Sequence, residues 1–131
     1  MVLSRHSVQH QNREAREKIL AVAREFRRDP DQFPGVIHTL HAHSLDPREG
    51  ILAECDYCPD QGGHVLYGCW LTRGREFFRF SVLNPYDRAE PPVVEEWQEV
   101  TQDIVINAHV PGTGKSFGWL ALDVLDNELA S

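Results

Sequence analysis

No stretch of the sequence approaches the roughly 20 consecutive apolar residues that a membrane-spanning helix requires. The opening segment, Met1-Val2-Leu3-Ser4-Arg5-His6, also lacks the apolar run of a secretory signal, so a cytoplasmic location is expected. Cysteine is scarce: an odd count of 3 in 131 residues does not fit a secreted disulfide framework. Reduced thiols or metal ligands are the remaining roles. Basic charge is the other shortage, with 13 Lys and Arg against 20 Asp and Glu and a net charge of −7. The deficit is uneven. Residues 1–49 carry 8 basic against 7 acidic side chains (+1), and residues 50–131 carry 5 against 13 (−8). An acidic surface repels phosphate backbones, so no nucleic-acid partner is expected, and no membrane. The arginines at 13, 16, 24, 27 and 28 interleave with Glu14, Glu17 and Glu25, the pattern of a solvated helix face.

What is present suits a single domain over residues 1–131: 41% hydrophobic and 25% charged residues can bury a core and keep it soluble. Neither a repeat nor a linker nor a low-complexity segment interrupts it. Residues from about Gln9 to Arg28 are good helix formers, with Ala15, Ile19, Val22, Ala23 and Phe26 on one stripe. Asp29-Pro30 ends that helix. Phe33 to His43 reads as a short second helix with Val36, Ile37 and Leu40 inward.

Three strands are expected next: Ile51 to Tyr57, His64 to Thr72 and Arg75 to Leu83. The turn residues Pro59-Asp60-Gln61-Gly62-Gly63 and Arg73-Gly74 separate them. Placing Asp60 opposite His64 sets Cys55 against Cys69, Tyr57 against Tyr67 and Ala53 against Leu71. A two-residue Arg73-Gly74 loop, with Gly74 at positive φ, then sets Val65 against Val82, Tyr67 against Phe80 and Cys69 against Phe78. In this register one face is the core, while Leu66, Trp70 and Phe77 stand on the other. There they are covered by a terminal helix or loop, or form a contact surface.

Beyond the loop from Asn84 to Pro92, the spacing of Val93, Trp97, Val100 and Ile104 predicts a helix over about 92–102. Asp103 to Ala108 is left open between helix and strand. Ser116 to Leu129 closes the chain as a helix with Phe117, Leu120, Ala121, Val124 and Leu125 on one face.

Three groups of residues could carry chemistry. Cys55-Asp56-Tyr57-Cys58, His64 and Cys69 supply the thiolates and imidazole that tetrahedral zinc prefers. Their spacing resembles the retroviral-type zinc knuckle over about fifteen residues. The resemblance implies zinc held by Cys55, Cys58, His64 and Cys69, although five residues rather than four precede the histidine. The competing role is that of small buried hydrophobes, the usual state of free cysteine. Next, His109-Val110-Pro111-Gly112-Thr113-Gly114-Lys115-Ser116 ends like a Walker A loop but has histidine in place of the first glycine. What it retains is an anion site at a helix start, formed by Gly114, Lys115 and Ser116. Finally, His38 and His41 would share a helix face near His43 and Asp46, where imidazoles can act as acid, base or ligand. Ser44, Ser81 and Ser116 have no recognisable base beside them.

The expectation is an α+β fold: a three- to four-stranded antiparallel meander packed by an N-terminal helix and C-terminal helices. Its expected role is a non-enzymatic interaction module of adaptor, chaperone-like or immunity type. Such a module would bind a protein partner or a second copy of itself through Trp70, Phe77 and Leu66, with no cofactor. The alternative is a zinc-stabilised domain using the four residues above, and a weaker one a small hydrolase or transferase using His38, His41 or Lys115.

Overall fold

The computed structural model describes residues 5–100 and 114–129, with side chains described for 13–100 and 117–129. Helix α1 spans Arg5–Arg28, followed by a single 3₁₀ turn at Pro30–Gln32 and helix α2 at Val36–Ala42. Strands β1 (Gly50–Asp60), β2 (Gly63–Thr72), β3 (Phe77–Pro85) and β4 (Val93–Val100) form one sheet, and α3 (Gly114–Leu129) closes the described chain. The strands lie in the order β1-β2-β3-β4 with every neighbour antiparallel. This is the α+β meander that the sequence predicts. No described helix is long and apolar enough to cross a membrane.

The helix expected over 92–102 is instead β4. Its apolar spacing misleads because the strand meets a core on each face: Trp97 packs against the core beneath α2, whereas Val100, three residues on, lies in the core beneath α1 and α3. Apolar residues divided between two faces of a strand can imitate helical periodicity. A bulge between Ser81 and Val82 on the pairing with β4 leaves Glu95 as an extra residue. The segment 103–109 lies outside the described residues.

Both hairpin registers differ by one from expectation. Asp60 pairs with Gly63, so the first turn has only Gln61 and Gly62 at its tip, and Tyr57 faces Leu66 while Cys55 faces Gly68. The second connection has three residues. Arg75 N–H donates to the Thr72 carbonyl at 2.9 Å, and Arg75, not Gly74, adopts the left-handed conformation, with φ 69°. Because side chains alternate strictly, a one-residue slip exchanges the two faces. Cys55 and Phe80 do share a face, but Tyr67 is on the opposite one and is 46% exposed.

Neither face is left open at the centre of the sheet. On the first, Ile51, Ala53, Cys69, Leu71, Phe77 and Val100 pack against Ile19 and Ala23 of α1 and Phe117, Ala121 and Leu125 of α3. On the second, Leu52, Leu66, Trp70, Phe80 and Val82 pack against Phe26, Phe33, Val36 and Leu40. Helix α1 thus lies along the β1 edge and feeds both cores. Because both faces are covered, Ile51, Leu52 and Ala53 are buried in succession, Ile51 and Ala53 in one core and Leu52 in the other. The arginines of α1 hold α3: Arg16 meets Asp123 at 2.6 Å, and Arg24 and Arg27 meet Glu128 at 3.1 and 3.6 Å. At the opposite edge, β4 carries Glu95, Glu96 and Glu99 and a bulged pairing, features that discourage edge-to-edge association.

Candidate functional site

Of the side chains singled out in the sequence, Trp70, Phe77 and Leu66 have no accessible surface to offer. Their exposures are 0%, 2% and 0%. Trp70 and Leu66 lie in the core capped by α2, with Phe26 edge-on to the Trp70 ring at 5.7 Å. Phe77 lies in the other core, beneath α1 and α3. The expected contact surface is corrected accordingly: these residues hold the fold, and the motive they supplied for self-association goes with their burial.

The four knuckle residues do not converge. Cys69 is buried in the α1/α3 core, while Cys55 packs against the α2 core on the other side of the sheet. Cys58 and His64 are exposed on adjacent strands, where they pair with Val65 and Pro59 respectively. No group of three or more His, Cys, Asp or Glu among the described residues is placed to hold a metal ion. Burial pushes the Cys55 and Cys69 thiols up to about 12, and the polar Tyr57 hydroxyl nearby offsets only part of this at Cys55. Both are therefore protonated hydrophobes near neutral pH.

Gly114, Lys115 and Ser116 form the first residues of α3, but their side chains, and residues 109–113, lie outside the described set. His38 and His41 are exposed on α2. His43 caps that helix, and its ring stacks on Trp97 at 4.0 Å and 15°, while Phe78 stacks with Trp97 at 4.7 Å. The His43 Nδ1 is 2.9 Å from the Thr39 carbonyl, which can only accept, so Nδ1 carries the proton. This histidine is a packing element on the flank of the sheet. Ser81 is buried at 4% exposure, without the access a nucleophile requires.

The structure brings together a different set of residues, at the end of the sheet where β1 turns into β2. Tyr57 leaves the last part of β1, His64 lies at the start of β2, Asn84 and Pro85 end β3, and Tyr86 follows it. The link between α1 and α2 adds Asp31 and Pro34, and the loop before β4 adds Arg88, Glu90 and Pro92. Together they line a groove of about 870 Å³.

Hydrogen bonds fix the groove walls. The Tyr57 hydroxyl donates to the Gln32 carbonyl at 2.9 Å, and the Tyr86 hydroxyl donates to the Asp60 carbonyl at 3.1 Å. Asn84 Nδ2 donates to the Pro34 carbonyl at 2.9 Å, tying the α1–α2 link to the end of β3. Burial raises the Tyr57 hydroxyl further above its ordinary range, which keeps it a donor. The His64 ring meets Tyr86 edge-on, with centroids 5.3 Å apart. The tyrosines remain 42% and 59% exposed despite these bonds. The rings are held while their surfaces face solvent.

Backbone geometry allows this close assembly at two glycines. A Cβ on Gly63 would lie 2.1 Å from the Asn84 carbonyl oxygen. One on Gly35, already at φ 89°, would lie 2.8 Å from Asn84 Oδ1.

Tyr57, Tyr86 and the prolines do not stand out in the sequence, because alternation places Tyr57 on the core face and 84–92 has the composition of a plain loop. The available signal was an aromatic residue set among Pro85, Pro91 and Pro92 directly after a strand, since loops on a rigid scaffold are common recognition surfaces.

A smaller cleft of about 370 Å³ lies between α1 and the β2–β3 connection. Its three arginines are each already engaged: Arg27 with Glu128, Arg48 with Asp46, and Arg73 with Glu49. It reads as a seam of the fold. Comparison with protein-family models, curated proteins and solved structures returned no significant match, so the groove's geometry and chemistry are the guide to its role.

Proposed function

We propose that this protein is a non-enzymatic interaction module that binds a protein partner, and that the groove between Tyr57 and Tyr86 is its recognition surface. Two tyrosines with tethered hydroxyls and solvent-facing rings support this reading. A rigid aromatic side chain loses little conformational entropy on binding and offers a large apolar contact, which is why tyrosine is favoured at binding hot spots. The site acts by contact rather than by bond-making. Its imidazole, His64, meets Tyr86 ring to ring, and both of its phenols are occupied as donors to backbone carbonyls.

The test is selection of a displayed random-peptide library against the wild-type protein, followed by rebinding to Tyr57→Ala, Tyr86→Ala and Trp119→Ala. Trp119 is 66% exposed on α3 and serves as the aromatic control. Enriched peptides should lose at least about 10-fold in affinity with either tyrosine variant, since a hot-spot truncation costs about 2 kcal/mol or more. They should bind Trp119→Ala normally. Failure to enrich any peptide, or binders indifferent to both tyrosines, would refute the assignment.

A further inference from the structure

We infer that the occupant of the groove is an extended, proline-bearing peptide segment carrying Arg or Lys. This inference rests on the interaction-module reading and names the partner chemistry of the same site.

The first support is the character of the walls. Pro34, Pro85 and Pro92 stand with Tyr57 and Tyr86 around the groove. A polyproline II segment is already extended and presents flat pyrrolidine faces, so it sacrifices little entropy when laid against rings of this kind.

The second is what the walls do not offer. Strand addition needs a row of free backbone N–H groups, and these three prolines have none. The Tyr86 N–H is committed to the Gly62 carbonyl at 3.3 Å. Because the tyrosine hydroxyls already donate to Gln32 and Asp60, the rings contribute faces rather than donors. A segment held by contact with ring faces, rather than by a ladder of backbone hydrogen bonds, fits such a wall.

The third is charge. Asp31 and Glu90 line the groove against Arg88: two carboxylates less one guanidinium leave −1. Neither Asp31 nor Glu90 is ion-paired among the described residues. Such a rim attracts cationic flanks and rejects acidic ones.

Fluorescence anisotropy with three labelled peptides tests this: an octaproline flanked by arginines, the same octaproline flanked by glutamates, and an arginine-flanked glycine–serine octamer. The arginine-flanked octaproline should bind, and the other two should bind at least about 10-fold more weakly. Tyr86→Ala should weaken it by about 10-fold with an unchanged melting curve, whereas Tyr86→Phe, which keeps the ring, should retain most of the affinity. Equal binding of the glycine–serine peptide would overturn the proline preference, and equal binding of the glutamate-flanked peptide would overturn the charge preference. Binding indifferent to Tyr86→Ala would overturn the location. If no proline peptide binds while library-selected peptides still require Tyr86, this inference fails and the interaction-module reading stands. If the library also yields nothing, both fail.

Discussion

At one end of the sheet, Ile51, Leu71, Phe77 and Val100 lie under α1 and α3, and Trp70 lies under Phe26 and the residues leading into α2. At the other end, β1 and β2 run on past their helical cover, and their side chains emerge among the prolines of two loops. The same strands supply both ends. The difference comes from which residues each strand places there and from how far the helices reach. The sealed end gains its stability by removing apolar surface from water. The open end leaves aromatic surface accessible and spends its hydrogen bonds on holding that surface still. On the proposed reading, structural and recognition roles are divided along the strand axis.

Substitution tests this division most strongly at Trp70. Its full burial places Trp70→Ala among large-to-small core changes, with an expected loss of about 3–5 kcal/mol in urea unfolding. Tyr86→Ala, in contrast, should change stability by less than about 1 kcal/mol while impairing binding. Comparable losses at the two sites would abolish the distinction.

A smaller effect is expected at Gly68, where an added Cβ would lie 2.5 Å from the ring of the buried Phe80. Gly68→Ala should cost about 1–3 kcal/mol through overpacking, measured by the same unfolding curves. A neutral result would mean that the α2 core yields more readily than its burial suggests.

Thiol titration gives a third contrast. Cys55 and Cys69 are pushed up from 9.0 to about 12, so the folded state retains protons that the unfolded chain releases above pH 9. Stability present below pH 9 should therefore fall as pH rises toward 12, by at most about 1.4 kcal/mol per pH unit per thiol. Replacing both cysteines by alanine should flatten that slope. At neutral pH a thiol-specific reagent should modify exposed Cys58 rapidly and leave the other two slow. Three equally fast thiols would contradict the placement of Cys55 and Cys69.

The smallest effect is expected between Arg16 and Asp123, which join α1 to α3 with side chains 34% and 63% exposed. A double-mutant cycle should give about 0.2–1 kcal/mol, diminishing with added salt. A larger coupling would show that the sealed end depends on ion pairs as well as on apolar burial.

Much of the fold could be read in the chain. The stripe of Ala15, Ile19, Ala23 and Phe26 locates α1, turn residues separate the first three strands, and Phe117, Ala121 and Leu125 mark the inner face of α3. These signals are local, and local periodicity reports which side of an element is apolar. It cannot count the residues in a turn. One residue fewer between β1 and β2, and one more between β2 and β3, moved Tyr67 to the opposite face from Phe80. Packing of Trp97 on one face and Val100 on the other likewise gave a strand the spacing of a helix. The candidate site was nearly illegible, because Asp31, Tyr57, Tyr86 and Pro92 are scattered along the sequence and only the docking of two loops at one sheet end assembles them.

Composition and periodicity by themselves determined an acidic α+β chain with a helix at each end and a strand-rich middle, because burial of apolar stripes leaves few other arrangements. Tertiary structure alone decided that both sheet faces are covered, that the three cysteines stand apart, and that all three tyrosines remain exposed, two of them around one groove. Those outcomes depend on register and on helix reach, which contacts between distant residues set and no short window of sequence contains.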